Sequence, residues 1–579
     1  MFLPTTKEEI IKLGWDKPDI ILISGDTYID SPFIGIAVIG NWLASKGFKV
    51  AVIAQPDINT DDIARLGEPA LYWGVSAGAM DSFVSNYTAL NKFRNDDDLT
   101  PGSVNNRRPD RACMVYTNLL RKHFKNTKPI VLGGVEASLR RTVHYDFKDN
   151  ALRRSILFDA KADILSYGMG EKSMLELAEA MRDGKEWKNI KGICYISKKK
   201  PENALELYSF EECRDNKDNF FEAFASFYKN ECLKNPQILA QKHADRYLIQ
   251  NPKQPALTTE ELDAVYDLDY TREVHPYYAK FGKVKAQETI KFSITAHRGC
   301  FGECNFCSIA VHQGKEVVSR SERSILKEAE KITKLKDFKG YITDLGGPTA
   351  NMYGAYCKIQ SEEWRVKSGE NGKENAAGSC SGRRCLFPEQ CPNLISGHDK
   401  QLELLKKVAN LPNVKKVFIS SGIRYDLICN DKENGQNYLD NLLEKHVSGQ
   451  MKIAPEHCDD KILALMGKPS NAVFKRFLQM FEKSVNSTLR PSNSKLFLTY
   501  YFIAAYPGCC ENEMFNLWRF IGKNLKINPE QVQIFTPTPS TPATMMYYCE
   551  KDLSGGKLFV EKDRNNKQKQ KRIITAEKR

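Results

Sequence analysis

Cys300, Cys304 and Cys307 stand in a Cys-x3-Cys-x2-Cys pattern within residues 292–320 (FSITAHRGCFGECNFCSIAVHQGKEVVSR). The pattern follows directly on a strand-like run, and Phe306 immediately precedes the third thiol. Three thiolates so closely spaced suit three irons of a four-iron cluster and leave the fourth iron open. Chemistry needs that open iron, because a substrate or cofactor must still bind it. The competing reading is zinc, held by the three thiolates and completed by His297 or His312. Zinc sites more often use paired Cys-x2-Cys arms and need no aromatic neighbour, so the spacing favours iron and sulfur.

A second group follows: Cys357, then Cys380, Cys385 and Cys391 in SCSGRRCLFPEQC. Four thiols in one stretch suit an auxiliary iron–sulfur cluster, for electron transfer or for direct ligation of substrate. Zinc is the second choice, since Cys-x4-Cys-x5-Cys is not a zinc-ribbon spacing. Unliganded thiols are the third. Seven of the sixteen cysteines fall between Cys300 and Cys391. In a chain that opens without a signal peptide, this usage points to metal or redox chemistry and away from a disulfide scaffold.

These residues need a scaffold. The 579 residues suffice for two or more cored domains, and 41% hydrophobic with 27% charged residues is the composition of an ordinary soluble protein. The longest apolar run, Phe33 to Ala44, contains an Asn and is too short to cross a bilayer; a cytoplasmic protein with no membrane partner is expected. Residues 1–195 read as an α/β domain. Apolar runs at Asp19–Ser24, Lys49–Ala54, Leu71–Ser76, Pro129–Gly134 and Asp163–Gly168 alternate with helical patterns such as Phe33–Ser45 and Glu171–Met181. This predicts a doubly wound parallel sheet whose ligands bind beyond the strands' carboxyl ends.

Residues 196–286 read as a helical, polar connecting segment with Phe220, Phe221, Phe224 and Phe227 on its helices. Tyr270, Arg272 and His275 within it fit either an active-site lid or a packed strap. The core, 287–542, offers six strand candidates: Ile290–Ala296, Gly340–Leu345, Val414–Ser420, Gly449–Ile453, Lys495–Ala505 and Gln531–Thr536. Helical patterns follow nearly every one; the first is expected to open on a capping box, Ser319-x-x-Glu322, and to bury Ile325, Leu326, Ala329 and Ile332. The cysteine-rich insert 357–391 interrupts this core. A basic tail, 543–579, contributes to the net charge of +13 and reads as a solvated, disordered end, the alternative being a contact with RNA or an acidic partner.

Several long words occur in order: CNFCSIAVHQGK (304–315), TDLGGPTANMYG (343–354), SSGIRYDL (420–427), MKIAPEH (451–457) and FTPTPSTPATMMYY (535–548). Together with Cys-x3-Cys-x-Phe-Cys they resemble the YgiQ family of radical S-adenosylmethionine (radical SAM) proteins, from Phe2 to about Tyr548. The resemblance implies an α/β fold: an N-terminal cobalamin-binding-like parallel sheet, then a partial (βα)6 radical SAM barrel with its chemistry at the strands' carboxyl ends. It implies a 4Fe-4S cluster on Cys300, Cys304 and Cys307, with S-adenosylmethionine chelating the open iron through its amino and carboxylate groups. Reductive cleavage then gives methionine and a 5′-deoxyadenosyl radical. Phe306 becomes a wall near the adenine, and Gly346-Gly347-Pro348 the binding place of the amino group. Ser420, Ser421 and Arg424 are candidates for the ribose hydroxyls and the methionine carboxylate, unless Arg424 is simply paired with Asp426. Lys452, Glu456 and His457 are further candidates, His457 for proton transfer near neutral pH; His312 and Gln313 have no assigned task.

Cobalamin is disfavoured. The usual lower-ligand motif is Asp-x-His-x-x-Gly, whereas residues 26–31 read Asp-Thr-Tyr-Ile-Asp-Ser, with Tyr28 in the histidine's place and no histidine before His123. The functional reading is therefore a radical SAM enzyme of unknown substrate, served by a one-electron donor such as a flavodoxin or ferredoxin. The alternatives are a methyl- or methylthio-transferase acting on RNA, a non-catalytic iron–sulfur redox or iron sensor, and an RNA-binding protein with a structural cluster.

Overall fold

The computed structural model describes residues 2–233, 235–360, 383–487 and 496–575. The chain divides into two compact units. One comprises Met1–Pro255, Ala264–Lys291 and Thr538–Ser540; the other comprises Ala256–Asp263, Phe292–Pro537 and Thr541–Arg579.

In the first unit, five parallel strands form half of a nine-stranded sheet, in the spatial order Val50–Ala54, Ile20–Ser24, Tyr72–Ser76, Ile130–Gly133, Ile164–Ser166. Their residues are apolar on both faces because both faces are covered. Ile21, Ile23, Trp73 and Val75 enter one core, while Ile20, Leu22 and Tyr72 enter the other. The sheet then continues through Ile193–Ser197, Arg246–Gln250, Leu239–His243 and Leu205–Leu207, the first three of these joined antiparallel. The stretch expected to be a helical connector thus supplies three strands. Two helices, Phe210–Asp215 and Lys217–Glu231, lie between them, and Phe220, Phe224 and Phe227 are buried as the helical reading requires. The strands LAQKH and RYLIQ were hidden by their mixed polarity.

Strand order reverses between Ile20–Ser24 and Tyr72–Ser76, which is where open α/β sheets place ligands. The loop after the first of these is wholly buried. A Cβ on Gly25 would lie 2.2 Å from the Ala77 carbonyl oxygen. Asp26 accepts from the Ala79 amide (2.6 Å) and is ion-paired with Arg108, which also pairs with Asp97 at 3.1 Å. Tyr28 is fully buried, accepts from the Leu3 amide (3.2 Å) and stacks on His275. The segment around Tyr270 and His275 is a strap within this unit: Arg272 donates its amide to Asp30, and His275 to Tyr28.

The second unit is built on six parallel strands taken in chain order: Ser293–Thr295, then 341–346, 416–423, Gln450–Glu456, Phe497–Ala504 and Gln531–Ile534. Single bonds complete the ladder where the strands are short, such as Leu345 N–H to Phe418 O and Ile423 N–H to Lys452 O, both 3.0 Å. Among the described residues no pairing joins the last strand to the first, so the barrel is partial. The helix after the first strand, Glu322–Thr333, buries Ile325, Ala329 and Ile332 as expected, but its cap is Ser321, whose hydroxyl accepts from the Ser324 amide. Ser319 is instead in a short strand, and its hydroxyl accepts from the Gly354 amide.

The basic tail is ordered as a helix, Arg564–Thr575, with Lys567, Gln570 and Ile574 buried. Its buried face is polar. Gln570 accepts from the Ala505 amide (3.0 Å) and donates to the Cys509 carbonyl (3.3 Å), satisfying main-chain groups just beyond the fifth strand. A face that buries Lys567 and Gln570 with a single apolar residue, Ile574, has little apolar periodicity to betray it. Among the described residues no helix is long and apolar enough to cross a membrane.

Candidate active site

Parallel strands in chain order bring all six carboxyl ends to one end of the barrel. The cysteine loop begins there. A two-residue strand, His297–Arg298, pairs antiparallel with Val318–Ser319 and closes the loop at its base. Gly299 makes that closure possible: its φ is +81°, and a Cβ would lie 1.8 Å from the Glu316 carbonyl oxygen. Further along, Asn305 is anchored by its amide to Met466 O (2.9 Å) and by its side chain to Leu465 O (2.8 Å), while Arg384 donates to its Oδ1 (2.7 Å).

The thiols are surrounded by donors. The Gly302 amide points at Cys300 Sγ (3.4 Å), the Thr349 hydroxyl lies 3.7 Å from the same sulfur, and Arg424 Nη1 is 3.6 Å from Cys304 Sγ. A Cβ on Gly302 would collide with Arg424 Nη1 at 2.4 Å and press on Cys300 Sγ at 3.2 Å, so glycine leaves room for the guanidinium among the sulfurs. Burial pushes the Cys307 thiol up to about 12 and also raises Cys300, against the lowering effect of Arg424. Metal loading must therefore displace protons from these thiols. The donor set of three thiols, with N–H and hydroxyl partners on sulfur, fits an iron–sulfur cluster. Among the described residues no three His, Cys, Asp or Glu side chains converge as the ligands of a single metal ion do; a four-iron cluster takes each thiolate on a different iron.

The second strand ends at Gly346, followed by Gly347 and Pro348. The His297 ring lies across Gly347, where a Cβ would meet three of its atoms at 2.5, 2.7 and 2.8 Å. Burial lowers the His297 pKa to about 4, against the raising effect of the Thr349 main chain beside the ring. At the third strand, the Ser420 and Ser421 amides both donate to Asp344 Oδ1 (2.8 and 3.1 Å). The Ser420 hydroxyl donates to Thr343 O (2.7 Å), and the Ser421 hydroxyl to Asp344 Oδ2.

Arg424 is buried and held bidentately by Asp426, Nε to Oδ1 at 2.9 Å and Nη2 to Oδ2 at 2.6 Å. The paired fork leaves Nη1 directed at the thiols. The pairing with Asp426 foreseen from sequence is therefore present, buried and not on the surface. Phe306 meets Tyr506 edge-on.

Sequence reasoning missed the support behind Arg424. Its amide donates to Asn351 Oδ1 (2.9 Å), and Asn351 Nδ2 donates back to the Arg424 carbonyl (3.0 Å). The same Nδ2 lies 3.2 Å from His398 Nε2, and His398 Nδ1 is 2.7 Å from Asp431 Oδ2. Asn351 was visible in TDLGGPTANMYG, but its partners His398 and Arg424 lie 47 and 73 residues away in sequence. At the fourth strand, Glu456 holds a left-handed φ of +68° and is buried, and burial raises its carboxyl against the lowering effect of Lys468 and Arg424. His457 does not suit proton transfer near neutral pH. It is fully buried with a pKa lowered to about 4; Nδ1 accepts from the Asp459 amide (3.0 Å) and Nε2 is 3.8 Å from Cys509 Sγ. His312 ends the helix Ser308–His312 that follows the cysteine loop.

Of the second cysteine group, Cys357, Cys385 and Cys391 are partly exposed, and Cys380 lies outside the described residues. Cys385 and Cys391 pack, together with Cys300, against one small apolar cluster that contains Phe301, Leu386 and Leu394.

The family described as Radical SAM N-terminal matches residues 2–293. A UPF0313 protein of Fusobacterium nucleatum is 54% identical over 581 residues, covering 100% of this chain and 99% of its own. Another, from Thermotoga maritima, is 46% identical over 585 residues, with the same coverage of 100% and 99%. Among solved structures, a radical S-adenosylmethionine methyltransferase from Kitasatospora setae, with cobalamin and a [4Fe-4S] cluster bound, aligns at TM-score 0.48 and 12% identity, over 92% of this chain and 74% of that one. A cobalamin-dependent S-adenosylmethionine radical enzyme, OxsB, aligns at 0.49 and 12%, over 95% and 58%. Structural similarity at that level carries no argument about ligands.

Proposed function

Since the chain belongs to the UPF0313 (YgiQ) family of radical SAM proteins, we propose that it is an enzyme that cleaves S-adenosylmethionine reductively at a cluster held by Cys300, Cys304 and Cys307. The observation that carries this reading is the gathering of those three thiols at the barrel's carboxyl end, with the Arg424 guanidinium 3.6 Å from one of them. When bound, the 4Fe-4S cluster supplies the electron that splits the sulfonium into methionine and a 5′-deoxyadenosyl radical, which takes a hydrogen atom from the substrate.

The chain's residues provide position and shielding. Thr349, the Gly302 amide and Arg424 donate toward the cysteine sulfurs and stabilise negative charge on them. Gly346 and Gly347 carry no side chains of their own, the room being taken by Ser421 and the His297 ring, and their main-chain groups are the candidates for the amino group of the methionine moiety. The Ser420 and Ser421 hydroxyls donate hydrogen bonds to the Thr343 carbonyl and the Asp344 carboxylate; their lone pairs can accept from ribose hydroxyls. Asp426 and Asn351 fix Arg424, whose remaining nitrogen faces the thiols, where it is the candidate partner of the methionine carboxylate. Phe306 walls the adenine side. The electron comes from a one-electron protein donor of the flavodoxin or ferredoxin kind. Cobalamin has no part in this scheme: in the loop where its lower ligand would stand, Tyr28 is buried and its hydroxyl already engaged.

Electron paramagnetic resonance tests the assignment. The anaerobically loaded, dithionite-reduced protein gives a [4Fe-4S]+ signal that changes on adding S-adenosylmethionine, and Cys304→Ala abolishes the response. A signal indifferent to saturating S-adenosylmethionine contradicts it.

A further inference from the structure

We infer that Asp431 is a positioning residue for the cysteine loop: it fixes which ring nitrogen of His398 carries the proton, and through that ring and Asn351 it holds Thr349 and Arg424 at the Cys300 and Cys304 sulfurs. For its effect on a metal centre the inference rests on the proposed cluster, whereas the bonds that carry it belong to the chain alone.

The side-chain amide of Asn351 has one allowed orientation. Its Oδ1 accepts from the Arg424 amide at 2.9 Å, and its Nδ2 donates to the Arg424 carbonyl at 3.0 Å. Turned over, it would set N–H against N–H and oxygen against oxygen. Nδ2 therefore keeps its second hydrogen for His398 Nε2, 3.2 Å away. An amide NH2 only donates, so Nε2 is the accepting nitrogen and Nδ1 carries the ring proton. Nδ1 lies 2.7 Å from Asp431 Oδ2. Burial works to raise the Asp431 carboxyl, but the His398 ring and the Asn434 amide hold it below the ordinary value. It is the ionised acceptor that this tautomer requires.

The bonds close into a circuit. Arg424 and Asp431 flank the two ends of one helix, Tyr425–Asn430, so Asn351 and His398 bridge from the residue before that helix to the residue after it. Neighbouring groups hold the same parts. Gln401, one turn along the helix His398–Ala409, donates to the Ala350 carbonyl (2.8 Å) and accepts from the Tyr438 hydroxyl (2.8 Å). The Tyr438 ring stacks on His398, centroids 4.3 Å apart. The Ala350 amide donates to the Gly422 carbonyl (2.9 Å). Asn351, His398, Gln401 and Tyr438 are all buried. A buried network with every member bonded rigidifies its surroundings, and a partly bonded one does not.

What the circuit holds in place is the pair of groups at the sulfurs. Thr349, two residues before Asn351, has its hydroxyl 3.7 Å from Cys300 Sγ, and Arg424 Nη1 is 3.6 Å from Cys304 Sγ. Asp426 orients the guanidinium alone; Asn351 fixes the Arg424 main chain and ties it to the turn that carries Thr349. Hydrogen bonds to the sulfurs help set the reduction potential of an iron–sulfur cluster, so a circuit that places these donors also tunes the potential. Replacing Asp431 by asparagine exposes the dependence. Asp431 Oδ1 accepts from the Asn434 amide (2.9 Å). With the single oxygen of an asparagine kept there, its NH2 faces His398 Nδ1, the ring proton moves to Nε2, and Nε2–H then opposes the Asn351 NH2.

The test uses the full chain, unloaded and then loaded anaerobically with iron and sulfide. In the unloaded chain, nitrogen-labelled histidine resonances are expected to show His398, identified by its loss in His398→Gln, protonated at Nδ1 and bare at Nε2. Asp431→Asn is expected to exchange the two nitrogens and to speed hydrogen exchange at the Arg424 amide. In the loaded chain, Asp431→Asn is expected to lower the cluster's midpoint potential, because donors at the sulfurs favour the more negative, reduced state. Release of 5′-deoxyadenosine should slow by roughly 10–100-fold, the scale of losing an outer-shell partner. His398→Gln offers Asn351 an amide oxygen with no tautomer to set. In that background Asp431→Asn is expected to leave the potential unmoved, whereas a merely structural Asp431 would shift it in both. The inference is overturned by a wild-type ring protonated at Nε2, a reading that needs no variant to fold. It is equally overturned by a ring that switches in Asp431→Asn without moving the potential, or by equal shifts in both backgrounds. A potential that follows the tautomer in a chain that never releases 5′-deoxyadenosine would strike the proposed cleavage alone and uphold the inference.

Discussion

Arg424 is the residue whose removal the structure describes most completely. Its guanidinium and the Asp426 carboxylate are both buried, joined by two bonds of 2.9 and 2.6 Å, and Arg424 holds the Asp426 pKa below the usual carboxylate value against the raising effect of burial. Breaking a buried pair by deleting one partner costs about 3–5 kcal/mol, because the other charge is left uncompensated. Arg424→Leu should therefore destabilise the fold by about that amount at neutral pH, whereas Arg424→Leu/Asp426→Leu should recover much of it. The sign of the pH dependence follows. In the wild type, Asp426's contribution is fully present above its unfolded pKa of about 3.9 and is lost as pH falls through the lower folded value. In Arg424→Leu the carboxyl is raised by burial, so the gap to wild type narrows on acidification from pH 8. Urea unfolding of the apo chain at several pH values measures both effects. Additive single and double variants, or a cost under about 1 kcal/mol, the scale of an exposed ion pair, would refute the reasoning.

Other outcomes follow from close contacts. Gly347→Ala sets a Cβ 2.5 Å from the His297 ring and should cost about 1–3 kcal/mol; adding His297→Ala should restore most of it, as read by thermal unfolding. Gln570→Leu leaves the Ala505 amide and Cys509 carbonyl without their partner and should cost about 1–3 kcal/mol for the unsatisfied buried groups; hydrogen exchange at Ala505 should accelerate. Lys567 is buried with a pKa lowered to about 8. A lowered lysine means that the unfolded chain binds the extra proton, so stability should rise with pH between about 8 and the unfolded value near 10.4. Lys567→Met should flatten that rise in a denaturation series.

The sequence disclosed its repeating parts better than its singular ones. Strands buried on both faces, such as IILIS at 20–24 and VAVIA at 50–54, are continuous apolar runs with no rival reading, and the six strands of the second unit fall within or across the expected runs. The strands at 239–250, LAQKH and RYLIQ, mix polar and apolar residues without alternation over five positions each, too weak a signal to displace a helical reading. The helix 564–575 buries Lys567 and Gln570, which any hydropathy argument assigns to solvent. At the site, glycines and cysteines were legible because spacing alone marks them. The relay from Asp431 through His398 and Asn351 to Arg424 was not, since each member is an ordinary polar residue until the barrel brings strands two and three together. His457 failed as a proton carrier for a reason sequence cannot display, namely complete burial between Asp459 and Cys509.

The central claim is reductive cleavage of S-adenosylmethionine, and its most direct test is the product. The anaerobically loaded chain, incubated with dithionite and S-adenosylmethionine, is expected to release 5′-deoxyadenosine, with methionine in equal amount, while Cys304→Ala releases none. Equal 5′-deoxyadenosine from variant and wild type, or none from a wild type whose cluster is loaded, reduced and supplied with its own substrate, would contradict the account.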